Sequence, residues 1–413
     1  MQIKRRHFLG ALAAVPLLRA DPACSSQVVS DGSGHPLVLP DKASFAFSGT
    51  HLNAAFAHPL GVHARKAAER FLQTRSSDVN RLWPADNPRQ AAVESFAELI
   101  NASVNDIAVV PSTLVGENLV GAALRLGPQR GVLTDPFHYD ASLAMYGERH
   151  KRGMPLVVMA NRNNRVDYDE LRRALTPKIK LIAVSWVSSW TGYQHDLRGI
   201  CEIAHDQDVL VYADIIQGVG AVPLDVRACG VDFCCAGTYK WLMGDFGAAF
   251  LYVRPDRLAE LERVEIGWRG LASFTPHFLP FDSPGRIGGD WTLGTDAASM
   301  FEAGTPNWCA LQVATASIAY IKALGVAEIA RHRTPLLERL QYELPRRGFA
   351  PLTPKEHQGP FVAFAFEGAR QRLAERLARA QTYITLGKNR IRVSASVYNN
   401  HAEIESLIQL LSG

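Results

Sequence analysis

The chain has no apolar run long enough to cross a bilayer, no C-x-x-C pair, and no dense basic block beyond its first dozen positions. A membrane-spanning helix needs about 20 apolar residues, so none is expected. The cysteines, Cys24, Cys201, Cys229, Cys234, Cys235 and Cys309, show no cysteine–histidine spacing suited to zinc, and no metal site is predicted. Lysine and arginine (44) nearly balance aspartate and glutamate (40), which leaves a formal charge of +4 and no electrostatic footprint for nucleic acid. What is present is a globular composition. With 47% hydrophobic and 20% charged residues, and glycine and proline near average usage, disordered, collagen-like and coiled-coil chains are excluded. A length of 413 residues predicts two to three domains on the usual scale of ~150 residues each.

The N-terminus reads as an export signal. Lys4-Arg5-Arg6-His7-Phe8-Leu9 opens an apolar stretch to Leu18, followed by Arg19-Ala20-Asp21-Pro22-Ala23, with small residues near a cut after Ala20 or Ala23. Its ~11 apolar residues would span roughly 16 Å as a helix, too short for a stable membrane anchor. The paired arginines before His-Phe-Leu resemble a twin-arginine signal, whose route carries folded proteins, so residues 1–23 are expected to direct the chain to the periplasm.

From about residue 106, short apolar runs alternate with amphipathic stretches, the pattern of an α/β fold with a mostly parallel sheet. Strands are predicted at Ile107–Val110, Gly131–Thr134, Leu156–Ala160, Ile179–Val184, Leu210–Asp214, Phe233–Ala236 and Ala248–Tyr252, with helices such as Glu117–Arg125, Tyr168–Ala174 and Arg198–Asp206 between them. The Trp268–Gly304 stretch reads as a long functional loop. After it come helical patterns at Leu311–Leu324 and Ala327–Leu344, then short strands and helices. The expected organisation is an N-terminal segment 24–65, a large domain 66–310 and a smaller α+β C-terminal domain 311–413.

In such sheets ligands collect at the carboxyl ends of the strands. Asp214, in Tyr212-Ala213-Asp214-Ile215-Ile216-Gln217, ends one apolar strand, where a carboxylate must be paired. Lys240, in Gly237-Thr238-Tyr239-Lys240-Trp241, follows another, and a partly desolvated amine has the lowered pKa of a nucleophilic or Schiff-base lysine.

Asp214-x-x-Gln217, Asp232-Phe233 and Lys240 together resemble the pyridoxal-phosphate core of class V aminotransferase-fold enzymes, which include isopenicillin-N epimerases, kynureninases and cysteine desulfurases. Further pieces follow in the same order: Ser112-Thr113-Leu114, Asp135-Pro136-Phe137-His138-Tyr139, Ser185-x-Val187-Ser188, Glu302-Ala303-Gly304-Thr305-Pro306-Asn307, and Arg390-Ile391-Arg392-Val393-Ser394 with Tyr398-Asn399. The resemblance covers most of the chain and implies fold type I, pyridoxal 5'-phosphate as cofactor, and Lys240 as tether and base. It implies that Asp214 keeps the pyridine nitrogen protonated, that His138 stacks on the ring, and that Gln217 bonds the ring hydroxyl. The phosphate would lie at the start of helix 117–125 beside Ser112, Thr113 and Leu114, with hydroxyls from Thr238 and Tyr239. Trp268 would line the same pocket. Thr305 resembles the residue that reaches a neighbouring subunit's phosphate, which implies a homodimer. Arg392 matches the arginine that clamps the substrate α-carboxylate, and strand alternation turns Arg390 the same way. Ser189, Tyr193 and His195 receive no role.

Desulfurases need a nucleophilic cysteine shortly before that arginine, and no cysteine follows Cys309, so persulfide chemistry is not expected. Export argues against kynureninase and suits an enzyme that acts outside the cytoplasm. The chain is similar to the periplasmic pyridoxal enzymes of pyoverdine maturation and to isopenicillin-N epimerases, both of which act on amino acids joined through the ω-carboxyl with the α-amino acid head free. Siderophore tailoring with loss of the α-amino and α-carboxyl functions is the preferred expectation, epimerisation the alternative. A non-catalytic binding protein on the same fold is the alternative of another class, which the intact Lys240, Asp214 and Arg392 argue against.

Overall fold

The computed structural model describes residues 3–4, 37–78, 80, 87–286 and 288–412. Apart from a two-residue strand at Ile3–Lys4, the segment expected to be an export signal lies outside the described residues, as does Cys24. The central sheet is built from β1 (Ile107–Val110), β2 (Gly131–Thr134), β3 (Leu156–Val158), β4 (Ile179–Ser185), β5 (Leu210–Asp214), β6 (Phe233–Gly237) and β7 (Ala249–Val253). Their order is β1-β7-β6-β5-β4-β2-β3, with β7 antiparallel to both neighbours and every other pairing parallel.

The strands form because both faces of the sheet are covered, which favours continuous apolar runs. Successive residues feed opposite cores: Val211, Ala213, Cys234 and Ala236 enter one cluster, while Tyr212, Phe233 and Cys235 enter the other. The layers are closed by α1 (Val62–Ser77), α2 (Pro88–Leu99), α3 (Thr113–Ala123), α4 (Asp140–Lys151), α5 (Tyr168–Ala174), α6 (Leu197–His205) and α7 (Trp308–Leu324). Gly116 lets α3 approach the sheet, since a Cβ there would lie 2.7 Å from Cys235 Sγ.

Two differences from the predicted elements matter. The helix expected at 117–125 starts at Thr113, because the Ser112 side chain accepts from Val115 N at 3.3 Å and caps it. The stretch expected to be a loop contains the antiparallel hairpin β8 (Leu271–Thr275) and β9 (Asp290–Leu293), together with a short helix at Ala297–Phe301. β9 is exposed throughout, so burial left no alternating signature to read.

The C-terminal part carries α8 (Val326–Glu343), then β10 (Ala350–Pro351), β11 (Val362–Ala365), α9 (Ala369–Arg379), β12 (Thr385–Leu386), β13 (Arg390–Val393) and α10 (His401–Ser412). Its sheet is antiparallel in the order β10-β11-β13-β12. The N-terminal segment joins it: Thr50–His51 pairs with Thr382–Tyr383, and Leu52 is buried in its core.

Glu302 ties the turn after the short helix to α2 and β1. It accepts from Arg89 Nε at 2.8 Å and from Val109 N at 2.9 Å, with both charged side chains buried. Removing one partner strands the other charge, so Glu302→Ala is expected to cost about 3–5 kcal/mol in urea unfolding. The double change Arg89→Met, Glu302→Leu is expected to recover part of it.

Candidate active site

Three parallel strands deliver the site. Ser185, Asp214 and Gly237 end β4, β5 and β6, and the register pairs Ser185 with Asp214 and Asp214 with Cys235. Beyond β6 a turn carries Lys240, held by Thr238 N to Ala248 O at 3.0 Å and Met243 N to Lys240 O at 2.8 Å. From the opposite wall, α3 presents its N-terminus: Thr113 Oγ1 accepts from Gly237 N at 2.8 Å, fastening the helix start to the strand end.

These elements enclose a cavity of about 230 Å³ lined by Ser112, Thr113, Leu114, Asp214, Gln217, Tyr239 and Lys240, together with Glu117, Tyr139, Ser142, Ser185, Ser189 and Ile216. Burial pushes the Asp214 carboxyl up to about 6, against the pull of the Ile216 N–H, His138 and Lys240. Burial pulls the Lys240 amine down to about 8; Asp214 opposes this and Arg392 adds to it. The two strand ends thus hold a carboxylate reluctant to ionise and an amine ready to lose its proton.

Gln217 is fixed at both ends, donating through Nε2 to Ala55 O at 3.0 Å and accepting from Trp241 Nε1 at 3.1 Å. Tyr239 stacks on Phe246 at 4.5 Å. His138 is fully buried and not among the lining residues; its Nδ1 lies 2.9 Å from Ser185 Oγ and its Nε2 2.9 Å from Glu117 Oε1. Burial lowers the imidazole pKa, but the Glu117 carboxylate outweighs it and the net shift is upward. Glu117, which also accepts from Ser142 Oγ at 2.6 Å, had been placed only at a helix start. Its signal was its position four residues after Thr113, on the same helix face.

Arg392 is buried on β13, donates to Ser189 O at 2.8 Å and acts electrostatically on Lys240. Burial draws its guanidinium down to about 9, and Arg390 adds to the fall.

Besides His138, three more predicted cofactor residues stand outside the cavity lining. The Thr238 hydroxyl is buried and donates to the Asp245 and Ala248 carbonyls, so it braces the lysine turn instead of facing the cavity. Trp268 is 70% exposed in the turn before β8. Thr305 lines a separate cavity of about 290 Å³ with Val110, Glu302 and Pro306. The helix N-terminus beside the cavity lies at Ser112–Thr113, four residues earlier than expected, and offers its free backbone N–H groups there.

The residues fit pyridoxal 5'-phosphate: a desolvated amine, a buried carboxylate beside it, and a helix N-terminus for the phosphate. Fold and site define a pyridoxal-phosphate-dependent enzyme of fold type I. The aminotransferase class-V family model matches residues 73–407, and the chain belongs to that family. It is 27% identical to a probable cysteine desulfurase of Methanothermobacter thermautotrophicus, over 70% of this chain and 71% of that one. It is also 27% identical to an uncharacterized aminotransferase of Bacillus subtilis, over 77% and 81%. Among solved structures, the cysteine desulfurase CsdA of Escherichia coli superposes with a TM-score of 0.77 at 22% identity, covering 90% of this chain and 96% of that one.

Because its folded pKa is raised from 3.8 to about 6, Asp214 contributes stability to the cofactor-free chain that is present below about pH 4 and lost as pH rises through 6. Asp214→Asn is therefore expected to stabilise that form at pH 8 by up to about 3 kcal/mol, and by about half as much at pH 5. It is also expected to weaken pyridoxal phosphate binding. Denaturant unfolding at both pH values and cofactor titration check this.

Proposed function

We propose that this enzyme acts, after twin-arginine export to the periplasm, on the free α-amino acid head of an amino acid ω-linked within a larger molecule, with a pyoverdine-type siderophore precursor as substrate. The observation that carries the reading is the convergence of Asp214, Lys240 and Arg392, in which Arg392 is a buried guanidinium with no ion pair among the described residues. A buried cation of this kind matches a substrate carboxylate. The Arg5-Arg6 pattern supports export.

The cofactor supplies an electron sink for the bonds at Cα. Asp214 holds a proton at the ring nitrogen, and its burial keeps water from competing for that hydrogen bond. Arg392 orients the α-carboxylate, and Lys240, with its lowered pKa, moves the proton at Cα. The first turn of α3 and the Thr113 hydroxyl bind the phosphate.

Several relatives are named cysteine desulfurases, but thiol chemistry finds no support here. Burial raises the pKa of Cys201, Cys229, Cys234, Cys235 and Cys309, which disfavours a thiolate, and no cysteine lies between Cys309 and the C-terminus. A homodimer is part of the proposal. Thr305 stands away from its own chain's Lys240 cavity, and exposed Ile266, Trp268, Phe278 and Phe281 offer an apolar surface to a second copy.

Purified enzyme and Lys240→Ala are incubated with a ferribactin-like γ-glutamyl siderophore precursor, and the product mass is read. With dioxygen as oxidant, reduced to hydrogen peroxide, and water supplying the new carbonyl oxygen, the proposal expects a yellow wild type and an aldehyde product from which the Cα carboxyl has left as carbon dioxide and the amino group as ammonia, with neither in Lys240→Ala. An unchanged mass with an inverted Cα would establish epimerisation instead, and an untouched precursor would refute the siderophore assignment.

A further inference from the structure

Buried Arg89 meets Glu302, and half-buried Arg254 and Arg257 meet Asp232, whereas buried Arg333 donates to the Ala221 carbonyl. Neither arginine of β13 meets a carboxylate among the described residues. Arg392 donates through one terminal nitrogen to Ser189 O at 2.8 Å, and Arg390 does the same to Trp190 O at 2.7 Å. Each leaves its Nε buried and without a partner among the described residues. They are two residues apart on one strand, so both side chains leave the same face, roughly 6.8 Å apart along it. They grip consecutive carbonyls of a single loop, and Ser189 of that loop lines the Lys240 cavity.

The Arg390 guanidinium also lies 4.0 Å above the half-exposed Trp190 ring, whose indole N–H donates to Asp140. Asp140 draws on Arg390 electrostatically but forms no ion pair with it among the described residues. Burial lowers the Arg390 pKa, Asp140 opposes that fall, and Arg390 in turn depresses Arg392. Two partly desolvated, mutually repelling cations on one strand face, both fastened to the loop that lines the cavity through Ser189, are relieved by two anions.

We propose that Arg390 is a second anion anchor beside Arg392, so that the substrate carries a further negatively charged oxygen group besides its α-carboxylate. This rests on the reading of Arg392 as the α-carboxylate clamp. The shared chemistry is a carboxylate about one strand repeat from the first. It has two sources: the side-chain end of a free acidic amino acid, or a carboxylate in the group attached through an ω-linkage.

Holoenzyme is titrated with L-glutamate, γ-L-glutamylglycine and L-glutamine, and dissociation constants are taken from the change in the visible spectrum. Wild type is expected to bind at least one of the two anionic probes tenfold or more tighter than glutamine, and which one identifies the source. In Arg390→Gln that preference is expected to fall below about twofold, with Arg390→Lys retaining part of it. Equal binding of all three probes by wild type overturns the inference. So does an equal loss for all three in Arg390→Gln, which would mark a brace for the 188–190 loop. Arg392→Gln separates the underlying reading: it is expected to weaken every probe at least tenfold. Unchanged affinities there would remove Arg392 as the clamp, and no response to any probe overturns both assignments.

Discussion

The structure depends on keeping a carboxylate and an amine out of water at the ends of two neighbouring parallel strands. Asp214 ends β5, Lys240 follows β6, and the sheet buries both strands throughout. In water neither group would be unusual. Here burial raises one pKa and lowers the other, which brings both toward neutrality and leaves each in want of a partner. Pyridoxal phosphate would satisfy both demands together, with Asp214 holding its ring nitrogen protonated and Lys240 tethering it. The destabilisation of the empty site is thereby coupled to its affinity for the cofactor.

The surrounding fold keeps that arrangement rigid. The antiparallel β7 next to β6 anchors the lysine turn through Ala248, the Thr238 hydroxyl closes the same turn, and Thr113 fixes the start of α3 to Gly237. On one wall of the cavity, Glu117 of α3, Ser142 of α4 and Ser185 of β4 are tied together by hydrogen bonds, with buried His138 behind them bridging Glu117 and Ser185. The C-terminal sheet contributes Arg390 and Arg392, so in the proposed function the substrate would be held from that sheet while Asp214 and Lys240 come from the central one.

Much of this was legible in the residues. The seven strands stood out because a sheet covered on both faces demands uninterrupted apolar runs, and Asp214 and Lys240 stood out because polar groups ending such runs need a reason. The start of α3 was placed a turn late because the capping serine is followed by apolar residues that also suit a strand, which hid Glu117 as part of the cavity wall. Thr238 could not be placed from sequence, since a hydroxyl next to a catalytic lysine faces either cavity or backbone according to a turn geometry that spacing does not encode. The hairpin β8–β9 escaped because its exposed residues carry no burial period.

The most direct measurement is the pH dependence of the rate at which cofactor-free protein captures pyridoxal phosphate, with borohydride trapping and peptide mapping to locate the modified residue. Since the amine must lose its proton to react, the account predicts a rate that rises with pH to a plateau with a midpoint near 8, and a label on Lys240. A rate that rises only toward the ordinary lysine pKa of about 10.4, or a label on another lysine, would contradict it.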